Sequence, residues 1–431
     1  MDATVFLILG MIALFAVLGM HLAFAFAFAS VIGLAISFGG IDPAADLLQQ
    51  TALMNLNSYT LVVLPLFAVM GIVIGASGAA SDLFHVINRG LKFVPARLAV
   101  ATVAGNAVFA AVTGVGAASV VAFSRIAYPE MKKAGYADSF STGVIAGSAV
   151  LGLLIPPSVF MIVFALLTSQ SVGKLFAGGL FPGLLMAAFF AIYCIITALA
   201  RPRQAPKGTF DAAPRPGAHV GALSVAVLIL ITLGGIWGGF LTPTEGAGVG
   251  LFGSFVVALI KRMPIKAICK AVFDAGTMIT PILLLMLGAA MYSKLLAIEG
   301  VPQMIGAAFE GSALGPVGTM LIFVVIWLIC GCLIDSISIM LLTVPIFWPI
   351  AQLQGIDPIV FALIGILIIE AGVLTPPFGI AVFIAKSALP DSSVSVGQIF
   401  RGVAPYWIII LIVALLLWVF PDIATWLPSK I

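Results

Sequence analysis

The sequence predicts an all-α integral membrane protein made of two related halves, each with a helical hairpin and a broken transmembrane helix. Three observations predict this. The 431 residues are 62% hydrophobic and only 8% charged, against roughly 25% charged in a soluble domain. Apolar runs near the roughly 20 residues that a bilayer requires recur along the chain. A proline pair inside one such run, Pro156-Pro157 in "GLLIPPS", returns as Pro376-Pro377 in "GVLTPPF" at an offset of 376 − 156 = 220.

In chain order, spans are expected at 4–20, 22–38, 60–78, 139–168, 178–200, 219–240, 243–260, 271–293, 358–386 and 403–425. The opening "MDATVFLILGMIALF" has an acid and no Lys or Arg before its apolar run. It therefore lacks the basic start of a cleaved signal peptide and is expected to be a retained span. Two more apolar stretches, 97–127 and 315–350, have polar, Gly-rich centres. They are expected to enter the membrane, turn and leave on the same side, which irregular backbone tolerates only when buried in protein or lining a wet cavity. A proline pair removes two backbone donors and bars helical geometry before each ring, so 139–168 and 358–386 must each break. In "LTPTEGAGVG", Pro243 and Glu245 read as a helix start, with Glu245 capping rather than transporting. Cys194, Cys269, Cys330 and Cys332, like His21, His85 and His219, lack metal-ligand spacing. In apolar segments these cysteines read as small buried hydrophobes.

Charge placement orders the spans. With ten spans and two re-entrant hairpins, Arg89, Lys92, Arg97, Lys132, Lys133, the basic residues of 201–215 and 261–270, Lys386 and Arg401 all fall on one side. Only Lys174, Lys294 and Lys430 fall opposite. Basic loops are cytoplasmic, which puts both termini on the extracytoplasmic side. The first hairpin then enters from the cytoplasm and the second from outside. The halves are expected to be inverted repeats, 1–200 and 220–431, joined by a cytoplasmic linker at 201–219, the one hydrophilic stretch.

A broken helix exposes carbonyls at one half-helix end and N–H groups at the other. The carbonyls suit Na⁺ and the N–H ends suit an anion. The first half offers Asn106, Thr113, Gly114, Gly152, Ile155 and Ser158 as sodium ligands, with Ser148 nearby. The second offers Gly331, Asp335, Ser336, Gly372, Thr375 and Phe378. Ser338, Pro156 and Pro376 are expected beside substrate, and Arg125 offers a planar fork to a carboxylate. The competing readings are that Ser and Thr act as helix-packing glue and that Arg125 snorkels to the cytoplasmic face. Glu370 reads as a helix N-terminal stabiliser or a structural hydrogen-bond partner.

These landmarks resemble the large membrane subunit of tripartite ATP-independent periplasmic (TRAP) transporters, the DctM-like family. The matching stretches are "NAVFAAVTG", "RIAYPEMKKAGY", "GLLIPPS", "VGKLFAGGLFPGLL", "LTPTEGAGVG", "LIDSISIMLLTVPIFWPI" and "GVLTPPFGIAVFIAK". The resemblance implies an elevator in which outer helices form a scaffold and the hairpins and broken helices move. It also implies Na⁺ coupling, a bacterial inner-membrane location, a small four-helix membrane partner, here unfused, and a periplasmic substrate-binding protein. The leading expectation is import of an organic anion, such as a carboxylate, with Na⁺ and no other cofactor. A stand-alone divalent-anion/Na⁺ symporter is the alternative. A proton-translocating subunit needs a buried Lys, Glu or His series that this chain lacks. Neither a nucleophile with a neighbouring base nor a Gly-rich phosphate loop occurs, which argues against an enzyme and against ATP drive.

Overall fold

The computed structural model describes residues 10–15, 18–114, 116–206, 217–310, 314–391 and 393–431. Part of the expected span 4–20 and most of the linker 201–219 fall on residues 1–9, 16–17 and 207–216, outside the described residues. Every regular element among those described is helical. Eight helices are long and apolar enough to cross a membrane: Tyr59–Ala76, Asp138–Thr168, Val172–Ala200, Ala218–Trp237, Pro243–Ile260, Ile265–Ile298, Ser336–Leu353 and Val396–Val419. Leu22–Phe38 and Pro358–Leu374 are shorter apolar helices.

Several helices extend beyond their apolar runs because polar residues cap them. Ser171 accepts from the Lys174 N–H and starts Val172–Ala200, six residues before the run at 178–200. Thr242 and Glu245 form a reciprocal capping box, as expected for Glu245: the Glu245 N–H donates to Thr242 Oγ1 at 3.2 Å and the Thr242 N–H to Glu245 Oε2 at 2.8 Å.

Two helical hairpins pack against the two broken helices. The first has arms Arg97–Thr113 and Gly116–Lys133, the second Gly315–Gly331 and Ser336–Leu353. Aromatic contacts hold each pair of arms together: Phe109 meets Phe123 edge-on at 6.0 Å, and Phe323 stacks on Phe347 at 4.2 Å. Trp327 Nε1 also donates to Thr343 Oγ1 at 2.8 Å, pairing a buried N–H that would otherwise cost free energy. The broken helices are the core. Residues 140–165 are buried without interruption, the break included, and so are Val360–Leu374 of the second. The outer helices instead present apolar side chains such as Ile192, Ile196, Leu230 and Leu415 to the exterior, the face a bilayer would cover.

Segments expected on one side of the membrane sit together. Asp82 pairs with Lys261 and Asp391 with Lys132, and the Ala137 N–H donates to the Gln204 carbonyl at 3.0 Å. Ser37 donates to Glu299, tying the end of Leu22–Phe38 to the residue after Ile265–Ile298.

Candidate functional site

The first break follows from its prolines. Leu151–Leu154 stops at Ile155, whose backbone is extended, because Pro156 bars helical geometry there. The Pro156-Pro157 peptide is cis, as is Pro376-Pro377. The chain restarts at Ser158, whose hydroxyl donates to the Leu153 carbonyl at 2.7 Å and accepts from the Met161 N–H at 3.4 Å. One side chain therefore pairs a freed carbonyl and caps the next helix. The hairpin tip closes over the break, with the Val159 N–H donating to the Gly114 carbonyl at 3.3 Å. A Cβ on Gly114, at φ +61°, would stand 2.6 Å from the Pro157 oxygen, so only glycine fits. The Thr113 hydroxyl donates to Phe109, and Gly152, Ile155, Pro156 and Ser158 are buried.

Asn106 stands apart from this tip. Eight residues before Gly114, it lies roughly 12 Å back along the helical arm. Its Nδ2 donates to Ser148 Oγ at 2.7 Å, while Oδ1 is buried with no hydrogen-bond partner. An orphaned buried amide oxygen is costly unless a donor or a cation meets it, so Asn106 fits a cation, but not in one shell with Gly114.

The second unit is built differently. Gly331 on the hairpin and Gly372 on the broken helix cross so closely that a Cβ on Gly372 would stand 2.7 Å from Gly331 Cα. Cys332 Sγ and Thr375 Oγ1 are 3.0 Å apart, and Thr375 Oγ1 donates to the Gly372 carbonyl at 2.7 Å. Cys332 is half-buried and touches the break, which corrects its reading as a buried hydrophobe. Asp335 caps the second arm, accepting from the Ser338 N–H at 3.0 Å and from the Ser338 hydroxyl. Ser336 donates to the buried Glu370 carboxylate at 2.6 Å. Glu370 lies one turn from the C-terminal end of Pro358–Leu374. That position overturns the N-terminal stabiliser reading and leaves the hydrogen-bond partner. Pro376 is exposed, and Phe378 is 55% exposed.

The two units meet around a cavity of about 200 Å³. Its walls match in register: Gly116 and Ser336, Ala117 and Ile337, Val150 and Glu370, Leu153 and Val373, and Phe160 and Ile380 are each 220 residues apart. Its charged and hydroxyl groups, Asp335, Ser336 and Glu370, all come from the second unit. Among the described residues, no Lys or Arg lines it. Of the expected site residues, then, the structure brings Asp335 and Ser336 to the cavity and groups Gly331, Gly372 and Thr375 beside it. Arg125 is exposed, nine residues and roughly 13 Å along the arm from Gly116, outside the cavity. Glu370 is the wall residue that sequence reasoning ranked too low; the signal was a carboxylate 220 residues after Val150 in an otherwise apolar run.

Comparison with known proteins agrees with this architecture. Residues 9–423 match the family described as tripartite ATP-independent periplasmic transporter, DctM component. The ectoine TRAP transporter large permease protein TeaC of Halomonas elongata is 30% identical over 418 residues, covering 95% of each chain. The C4-dicarboxylate TRAP transporter large permease protein DctM of Pseudomonas aeruginosa is 31% identical over 378 residues, 86% of each. In fold, the chain is similar to the crystal structure of the Alcanivorax borkumensis YdaH transporter, with a TM-score of 0.69 over 88% of this chain and 89% of that one at 15% identity. The chain belongs to the DctM component family of tripartite ATP-independent periplasmic transporters, as a large permease subunit.

Proposed function

We propose that this subunit imports an organic anion, a carboxylate, together with Na⁺ by an elevator motion of its hairpins and broken helices. The observation that carries the reading is the cavity itself, where two carboxylates stand in an apolar wall with no basic residue. An anion entering alone would meet like charge at low dielectric, which is strongly unfavourable. Sodium ions held first by Asp335, Glu370 and the carbonyls of the breaks would offset that negative charge and lower the repulsion, which supports coupling. Asn106 Oδ1 and the Thr375 region offer further oxygen ligands. In this reading both hairpins are re-entrant, the halves are inverted repeats, and the termini face the periplasm. A small membrane subunit and a periplasmic binding protein complete the transporter, the latter delivering substrate.

Uptake into proteoliposomes holding the complete transporter and its binding protein tests this reading. Accumulation of carboxylate is expected only with an inward sodium gradient. Equal uptake after the gradient is collapsed would overturn the coupling, and uptake by this chain alone would favour a stand-alone symporter.

A further inference from the structure

A second cleft, of about 490 Å³, is lined by none of the residues that line the central cavity. Three segments distant in sequence build it: Thr51, Met54, Asn55, Ser58 and Leu61; Leu166 and Leu167; and the end of the long helix Ile265–Ile298, from Met286 to Ala297. The charge pattern puts all three on the extracytoplasmic side. Its one charged lining residue is Lys294, which is exposed and has no ion-pair partner among the described residues. Ser58, Ser293 and the Asn55 amide add donors, while Thr51 already donates to the Leu47 carbonyl at 2.8 Å. Asn55 Oδ1 is buried there without a hydrogen-bond partner. Among the described residues, no Asp or Glu lines the cleft. Its charge is thus the reverse of the central cavity's.

One helix connects the two spaces. Val159–Thr168 has Phe160 in the cavity wall and Leu166 and Leu167 in the cleft wall; ten helical residues span roughly 15 Å. The cleft's other walls belong to helices outside the hairpin and broken-helix units. From this we infer that the cleft is an outer, sodium-independent landing site where Lys294 holds a small carboxylate before it passes to the cavity. The inference rests on the carboxylate reading above. A cationic, open cleft concentrates anions and raises their encounter rate, by 10-fold or more at low salt, whereas the inner cavity repels them until sodium is bound.

The test places a cysteine at Ser58 and compares two impermeant thiosulfonates, one anionic and one cationic, in right-side-out phosphatidylcholine vesicles. Each rate is corrected for labelling of the unsubstituted chain and normalised to a free thiol. The anionic reagent is expected to lead by about tenfold, without sodium, and 10 mM succinate should slow it. Adding Lys294→Gln should reduce the lead to about twofold or less, and Lys294→Arg should retain it. A lead near one, or one unchanged by Lys294→Gln, overturns the site. So does loss of the lead on adding phosphatidylglycerol, because the cleft would then hold a lipid headgroup. A preserved, succinate-sensitive lead in a transporter that carries no carboxylate would sink the transport reading and leave the site standing.

Discussion

The two breaks share a backbone device but differ in their surroundings. Around Pro156-Pro157 every residue from Ile155 to Ser158 is buried. The Ser158 hydroxyl pairs the Leu153 carbonyl, and Gly114 closes over the gap. Around Pro376-Pro377 both prolines and Phe378 are exposed, and the ties are the Gly331–Gly372 crossing and the Thr375 contacts. The first unit has spent its backbone groups on itself; the second keeps polar groups, Asp335, Ser336 and Glu370, turned toward the cavity. The comparison teaches that a repeated motif need not have a repeated task. The first break is closed by its own ties, whereas the second unit turns its charged and hydroxyl groups toward the cavity.

Five variants would break or sharpen this contrast, in descending order of expected effect. Gly372→Val should be the most damaging, because its side chain must displace the Gly331 backbone. Overpacking costs about 1–3 kcal/mol, so we expect a lower melting temperature and no uptake. Wild-type uptake would show that the crossing is not held during transport. Next, Glu370→Gln keeps an acceptor for Ser336 but removes a charge. At about 1.5–3 kcal/mol for hydrogen bonds to a charged group, the sodium concentration for half-maximal uptake should rise tenfold or more. An unchanged sodium dependence would make Glu370 structural.

A smaller pair of effects should separate the units directly. Ser158→Ala leaves a buried carbonyl unpaired and should cost about 1–2 kcal/mol of stability with little change in sodium dependence. Thr375→Ala should do the reverse, weakening apparent sodium affinity a few-fold while melting near wild type. Swapped outcomes would exchange the roles assigned to the two breaks. The smallest change is expected for Lys132→Met at the molecular surface. The Lys132 ammonium and Ser393 hold the Asp391 carboxyl well below the usual carboxylate range. That contribution is present above the ordinary value near pH 4 and is lost as pH falls toward the depressed one. Because the pair is exposed, the effect on melting should be slight and vanish in high salt.

Much of this architecture was legible in the sequence because its signals are local. A proline pair ends a helix wherever it stands, and "LTPTEGAGVG" carries its own capping box. Helix ends beyond the apolar runs were less legible: Ile265–Ile298 begins among Lys266, Lys270 and Asp274, which a hydropathy reading excludes. Ile41–Leu56 and Ala79–Gly90 escaped for the same reason, since each spreads polar residues through its turns. The candidate site was legible as segments rather than as a shell. Asn106 and Gly114 share a hairpin but are separated by helical rise, and Arg125 is carried away from the tip in the same manner. The outer cleft assembles residues 51, 166 and 294 and leaves no periodic trace at all.

The matched register of the cavity walls has a consequence for how a ligand lies. Walls with identical side chains would let an elongated ligand lie head-to-tail either way at equal free energy. Substituting Ser336 for its counterpart Gly116, and Glu370 for Val150, gives the chamber a polar pole and an oily pole. A molecule with one charged end then has a single favoured pose, and its two ends cease to be interchangeable.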